Sequence, residues 1–176
     1  MIRPAANEYA QSYQGYISKV AGTDVLGALV NQHKLVLEIL ASLDDEKAKY
    51  AYDTGKWSIK ELIGHIIDCE RVFSYRAVSI ARGEQQPLPG FEQDGFVLHA
   101  KFNNRSLESL KDEYNHLRLA NIALIKSLTE EDISRKGTAS NNPVTVRALL
   151  FIIAGHEKHH LDILKERYLG NIQQSV

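Results

Sequence analysis

With Cys69 as its one cysteine, the chain cannot close a disulfide within itself, and a reduced, intracellular setting is the natural expectation. It also lacks any excess of one charge: 21 Lys and Arg stand against 22 Asp and Glu, for a formal net charge of -1, and no basic block stands out. That argues against broad attraction to a nucleic-acid backbone, so nucleic acid is not an expected partner. No apolar stretch approaches membrane-spanning length, and Met1 to Tyr9 carries no secretory-type apolar run. A cytoplasmic protein with no membrane association is the expectation. Strand periodicity and the glycine fingerprint of a dinucleotide-binding fold are both missing, as are repeats, low-complexity tracts and any composition break that would mark a second domain.

What remains is an ordinary soluble composition, 44% hydrophobic and 24% charged, on 176 residues. That length suits one substantial core, so a single domain over residues 1–176 is expected. Four segments carry helical periodicity. From about Asp24 to Leu43, Leu26, Leu29, Val30, His33, Leu37 and Leu40 share a face. Ser58 and Glu61 form a capping-box pattern, with Trp57 and Leu62 as the accompanying staple, and start a helix that runs from about Ile59 to Ile80. Its stripe is Leu62, Ile66, Cys69 and Phe73, with His65 alongside. A third helix is expected from about Leu107 to Leu128, and a fourth after Thr145 as N-cap, with Leu149, Ile153, His156, His160 and Ile163 at helical spacing. Between the second and third, Gly83 and Pro87 to Gly90 break the helix, and Phe91 to Phe96 reads as a polar-aromatic loop able to cover a site. Four apolar faces bury one another most simply as an all-α four-helix bundle, with a short extra helix near Tyr9 to Val20. The longer link between the second and third helices permits a crossover.

The chemistry concentrates in His156-Glu157-Lys158-His159-His160. His156 and His160, four residues apart, present their imidazoles on one helical face, inside an apolar stripe. With His65 brought alongside by a chain reversal, His65, His156 and His160 would form a three-imidazole set for Zn(II), Ni(II), Fe(II) or a related ion, with Asp68 and Glu157 as acceptors that could fix the ring tautomers. The competing reading makes these histidines structural. His159 points about 100° away from His160 and reads as a surface residue. His33 reads as a buried structural histidine or a cavity residue, Cys69 as a small buried residue or a thiolate, and His99 and His116 as loop or surface positions. The same run also satisfies HExxH, which opens a zinc peptidase or hydrolase reading with Glu157 as general base; no peptide-binding feature accompanies it.

Taken together, Trp57-Ser58-Ile59-Lys60-Glu61-Leu62-Ile63-Gly64-His65-Ile66-Ile67-Asp68-Cys69-Glu70 and Gly155-His156-Glu157-Lys158-His159-His160, with Leu88 to Asp94 between them, resemble the DinB-like metal-binding superfamily over nearly the whole chain. The resemblance implies an up-up-down-down four-helix bundle, a homodimer, and a divalent ion on His65, His156 and His160. It also implies metal-assisted transfer of a low-molecular-weight thiol to an electrophilic small molecule, with Asp94 and His99 as candidate substrate contacts. The alternative from a different class is a noncatalytic, metal-stabilised interaction protein, and a bundle without metal is the plainest reading.

Overall fold

Each of the four long helices begins at a side chain that accepts a hydrogen bond from an otherwise unpaired backbone N–H, as the sequence predicts for two of them. Asp24 accepts from the Gly27 N–H at 2.9 Å, Ser58 from Glu61 at 3.1 Å, Ser106 from Ser109 at 3.1 Å and Thr145 from Ala148 at 3.1 Å. At Ser58 the box is complete, because Glu61 Oε2 accepts from the Ser58 N–H at 2.8 Å. The computed structural model describes residues 1–170; residues 171–176 of the expected domain span lie outside the described part. Its elements are α1 (Gln14–Lys19), α2 (Val25–Ala41), α3 (Ile59–Ala81), α4 (Gln93–Ala100), α5 (Leu107–Ser127), α6 (Glu130–Ser134), β1 (Lys136–Ala139), β2 (Asn142–Thr145) and α7 (Val146–Ile163), the last continuing into a π-helical stretch at Leu164–Leu169.

The four long helices α2, α3, α5 and α7 form the bundle. Helix α3 packs on α7 and α5, and α2 packs on the same two, so α2 and α3 face each other across the core. Leu29 meets Arg118 and His33 meets Asn115, which makes α2 and α5 antiparallel. Ser58 meets Asn103 just before α5 and Glu70 meets Arg118, so α3 and α5 run parallel. Helices α3 and α7 are antiparallel, since His65 meets His160 while Cys69, one turn on, clusters with His156. The helix directions are therefore up-down-down-up, in place of the expected up-up-down-down order. The physical reason is the number of crossovers: only the long link from α3 to α5 travels the length of the bundle, whereas up-up-down-down needs two such links.

The core fills in two lobes along the bundle. One gathers Val25, Leu29, Phe73, Ala77, Ile80 and the first half of α7, and the other gathers Val36, Leu40, Ile59, Ile63, Ile66, Leu110, Tyr114, Leu161 and Leu164. Each fully buried aliphatic side chain contributes about 1.5–3 kcal/mol by leaving water. The histidines of interest sit where these lobes meet.

Two regions depart from the sequence reading. The segment around Phe91 to Phe96 is not wholly a loop: Glu92 accepts from the Asp94 and Gly95 N–H groups at 3.0 and 2.6 Å and starts helix α4. Glutamate is an uncommon cap and Gly95 a poor helix former, so the sequence signal was weak. The connection at Gly137 to Pro143 is an antiparallel hairpin, β1 paired with β2, turning at Ser140 and Asn141 with φ of 50° and 62°. A two-residue turn of this hand needs positive φ at both positions. Buried Arg76 holds it in place by donating to Ser140 Oγ at 3.0 Å and to the Pro89 carbonyl at 2.7 Å.

Candidate metal centre

Helical spacing dictates how the imidazoles converge. The capping box fixes where α3 begins, which puts His65 in its second turn facing α7, while the i, i+4 spacing of His156 and His160 stacks both rings on the face of α7 that looks back at α3. The three Nε2 atoms stand 3.1 Å from one another in all three pairings. All three residues are buried. Three neutral imidazole nitrogens facing one another cannot satisfy each other with protons alone. Nitrogens each about 2.0–2.1 Å from one shared cation span a triangle of roughly this size, so the donor set fits a metal ion.

Protonation follows burial. Burial, with a smaller contribution from His159, lowers the His65 pKa to about 4, and burial together with His65 lowers His160 to about 3. His156 falls well below the ordinary imidazole value, again through burial first and then its histidine neighbours. Neutral imidazole is the form that donates a lone pair.

The surroundings are aromatic. Trp57 lies against His65 with ring centroids 4.6 Å apart, and Tyr16 and Phe73 meet His156 edge-on at 5.2 and 5.9 Å. Tyr16 arrives on α1, the extra N-terminal helix, which packs closely because residue 155 is glycine: a Cβ there would stand 2.0 Å from the Tyr16 carbonyl oxygen. Nothing in the sequence marks Tyr16 or Trp57 as a wall of the site. The chain reversal that brings them to the histidines leaves no local signature.

Other expected residues divide clearly. Cys69 is buried with its Sγ 3.6 Å from His65 Nδ1 and 3.7 Å from His65 Nε2, and burial raises its thiol to about 12. Asp94 lines a cavity of about 240 Å³ that reaches His160 and is also walled by Tyr52, Lys56, Trp57, Ile163 and Tyr168. His99 and His116 are exposed and do not line it. His33 is half-buried and bonds Asn115 Oδ1 at 2.8 Å, apart from the histidine cluster. His159 is half-buried rather than fully at the surface, tilted against Tyr16 at 5.5 Å.

Glu157 and Asp68 do not back the imidazoles. Glu157 Oε1 accepts from the Tyr114 hydroxyl at 2.7 Å and Oε2 from Arg118 Nη1 at 2.9 Å. Arg118 also grips Glu70 through two bonds at 2.9 and 2.7 Å and donates to the Leu29 carbonyl at 3.1 Å, while Asn121 donates to Glu70 Oε1 at 2.9 Å. This buried network ties all four long helices together. The HExxH reading fails on it, because a general base needs a carboxylate free to reach water near the ion. Asp68 pairs with Arg71 at 3.7 Å, and His160 Nδ1 has no partner among the described residues. The sequence did offer a trace of the network: Tyr114 and Asn121 interrupt an apolar stripe, and Arg118 stands four residues after Tyr114 on the same side.

A bundle with histidines from two antiparallel helices meeting in its core defines a recognisable class. The family model described as the DinB superfamily matches residues 28–164, and the chain belongs to that superfamily. It is 28% identical over 133 residues to a protein of Oceanobacillus iheyensis named "Putative metal-dependent hydrolase OB0413", covering 73% of this chain and 74% of the relative. The fold is similar to that of YfiT from Bacillus subtilis, described as a probable metal-dependent hydrolase with an unusual four-helix bundle topology, at a TM-score of 0.69 and 16% identity, covering 93% of this chain and 89% of YfiT. It is also similar to a mycothiol-dependent maleylpyruvate isomerase, at a TM-score of 0.66 and 12% identity, covering 83% of this chain and 62% of the isomerase. No helix among the described residues is long and apolar enough to cross a membrane.

Proposed function

We propose that the chain is a divalent-metal-dependent enzyme in which His65, His156 and His160 hold the ion, and that it transfers a low-molecular-weight thiol to an electrophilic small molecule. The observation that carries this is the triangle of buried Nε2 atoms 3.1 Å apart, one of whose residues, His160, opens onto a cavity. Bound there, an ion such as Ni(II), Zn(II) or Fe(II) would supply Lewis acidity that favours the thiolate form of the cosubstrate. The chain's own residues do the rest. Burial keeps the imidazoles neutral and ready to donate, and Trp57, Tyr16 and Phe73 shield the donors from water. A cavity of about 240 Å³ suits a small acceptor held against Tyr52, Trp57 and Tyr168, with Asp94 and Lys56 at its wall to orient polar groups. The names of the relatives support metal dependence, and the isomerase's mycothiol dependence supports a thiol cosubstrate. A cytoplasmic homodimer completes the reading.

The test uses tag-free protein, stripped with chelator and reloaded with one ion at a time. The thiols are glutathione and cysteine, and the electrophile is 1-chloro-2,4-dinitrobenzene at the head of a panel. Metal-dependent thioether formation that disappears in His160→Ala supports the reading. Stoichiometric metal without turnover across the panel overturns thiol transfer and favours a noncatalytic, metal-stabilised protein. Ester hydrolysis by the same loaded protein would instead favour the hydrolase reading that the relatives' names suggest, with water in place of the thiol. Light scattering tests the dimer.

A further inference from the structure

The histidine triangle does not exhaust the donors at this site. His65, Cys69 and His156 form a second set, their donor atoms all within 4.8 Å of one another and all three residues buried. The two sets share the residues His65 and His156. Nitrogen from His160, one turn further along α7, completes the first; sulfur from Cys69, one turn further along α3, completes the second. The sulfur lies 3.7 Å from His65 Nε2, little more than the 3.1 Å that separates the nitrogens, and metal–sulfur bonds of about 2.3 Å are longer than metal–nitrogen bonds of about 2.0–2.1 Å.

Resting on the metal-site reading above, we infer that Cys69 supplies a sulfur donor to an alternative set with His65 and His156, which the ion can take in place of the His160 nitrogen, and that it determines which ions the site retains. The Cys69 S–H bond breaks as the sulfur–metal bond forms, and the proton passes to solvent with no change in oxidation state. An internal thiolate beside the imidazoles of His65 and His156 favours ions that accept sulfur readily, such as Zn(II), Co(II) and Cd(II), over oxygen-preferring ions such as Mg(II) and Mn(II). It also fills a position that an external thiol would otherwise take, so exchange between Cys69 and a cosubstrate thiol becomes a built-in competition.

Cobalt(II) reads this directly, because Cys69 is the chain's one thiol. Chelator-stripped, tag-free protein is titrated with Co(II) in a buffer containing a phosphine reductant and no thiol. The expected spectrum has visible d–d bands from the bound ion and a near-ultraviolet thiolate-to-cobalt charge-transfer band. Cys69→Ala should keep the visible bands and lose the near-ultraviolet band, with Cd(II) affinity falling by at least about tenfold, since even residues that only orient a ligand cost 10–100-fold. Cys69→Ser, which keeps the side-chain volume, should behave alike and covers the case in which the alanine variant fails to fold. Visible bands without a near-ultraviolet band in the unsubstituted protein overturn the sulfur donor and leave the histidine reading standing. Folded protein that shows no cobalt bands at all overturns both.

Discussion

Trp57, the chain's one tryptophan, lies with its ring centroid 4.6 Å from that of His65. An open-shell ion held by His65 would sit close enough to the indole to drain its excited state, whereas a filled-shell ion would not. Tryptophan emission should therefore fall on titration with Ni(II) or Co(II), reach its end point at one equivalent, and change far less with Zn(II). His65→Ala should abolish the quenching. Unchanged emission at confirmed Ni(II) occupancy would place the ion elsewhere.

Acid should weaken the metal-free protein in a defined window. His65 and His160 have folded-state pKa values lowered to about 4 and about 3 by burial, against 6.5 for the free side chain, so the unfolded chain binds protons first as pH falls. Stability is undiminished above about pH 6.5 and is lost progressively between there and pH 4 to 3. The slope approaches about 1.4 kcal/mol per pH unit for each titrating histidine. Urea midpoints of chelated protein at pH 7.5 and pH 5 measure it. His65→Gln should flatten the slope, and equal midpoints in the parent protein would contradict the buried neutral imidazoles.

Arg118 should be among the most sensitive positions outside the histidines. Its guanidinium is fully buried between Glu70 and Glu157, so Arg118→Met strands two carboxylates in the core. Removing one partner of such a pair costs about 3–5 kcal/mol, far more than the loss of an exposed bridge such as Lys49–Glu46. Chemical denaturation of Arg118→Met beside Lys49→Met makes the comparison, and similar midpoints would show that the network contributes little.

Gly155→Ala tests how the N-terminal helix docks. The new Cβ would stand 2.0 Å from the Tyr16 backbone oxygen, which cannot swing away as a side chain would. Helix α1 must shift, at about 1–3 kcal/mol. Amide exchange in residues 11–20 should quicken while the far ends of α3 and α5 stay protected. Unchanged exchange there would mean that the close approach is relaxed in solution.

The long helices were legible because their signals are local. Ser58 with Glu61, and Thr145 before an apolar stripe, announce caps, and the His156–His160 spacing announces a shared face. The crossing directions were not legible, because the pairing of Glu70 with Arg118 joins residues remote in sequence and obeys no short-range pattern. Helix α4 was hidden by an atypical Glu92 cap, and the hairpin by a turn of Ser140 and Asn141 where glycine is usual. At the site, Glu157 departs from its HExxH expectation for a geometric reason. Its place in the HExxH string says what stands beside His156, and only the 100° step of the helix decides that its carboxylate turns to Tyr114 and Arg118.

That step has a mechanical consequence. His156 and Glu157 are consecutive residues on one rigid helix, so the imidazole cluster and the four-helix charge network cannot move independently. A rotation of α7 large enough to suit a bigger or smaller ion would strain the bonds that Glu157 makes to Tyr114 and Arg118, and through Arg118 would be felt at Leu29 and Glu70. An ion held at the histidines would thereby be felt through the bundle, and slow amide exchange in α2, which contributes none of the three histidines, would gauge it.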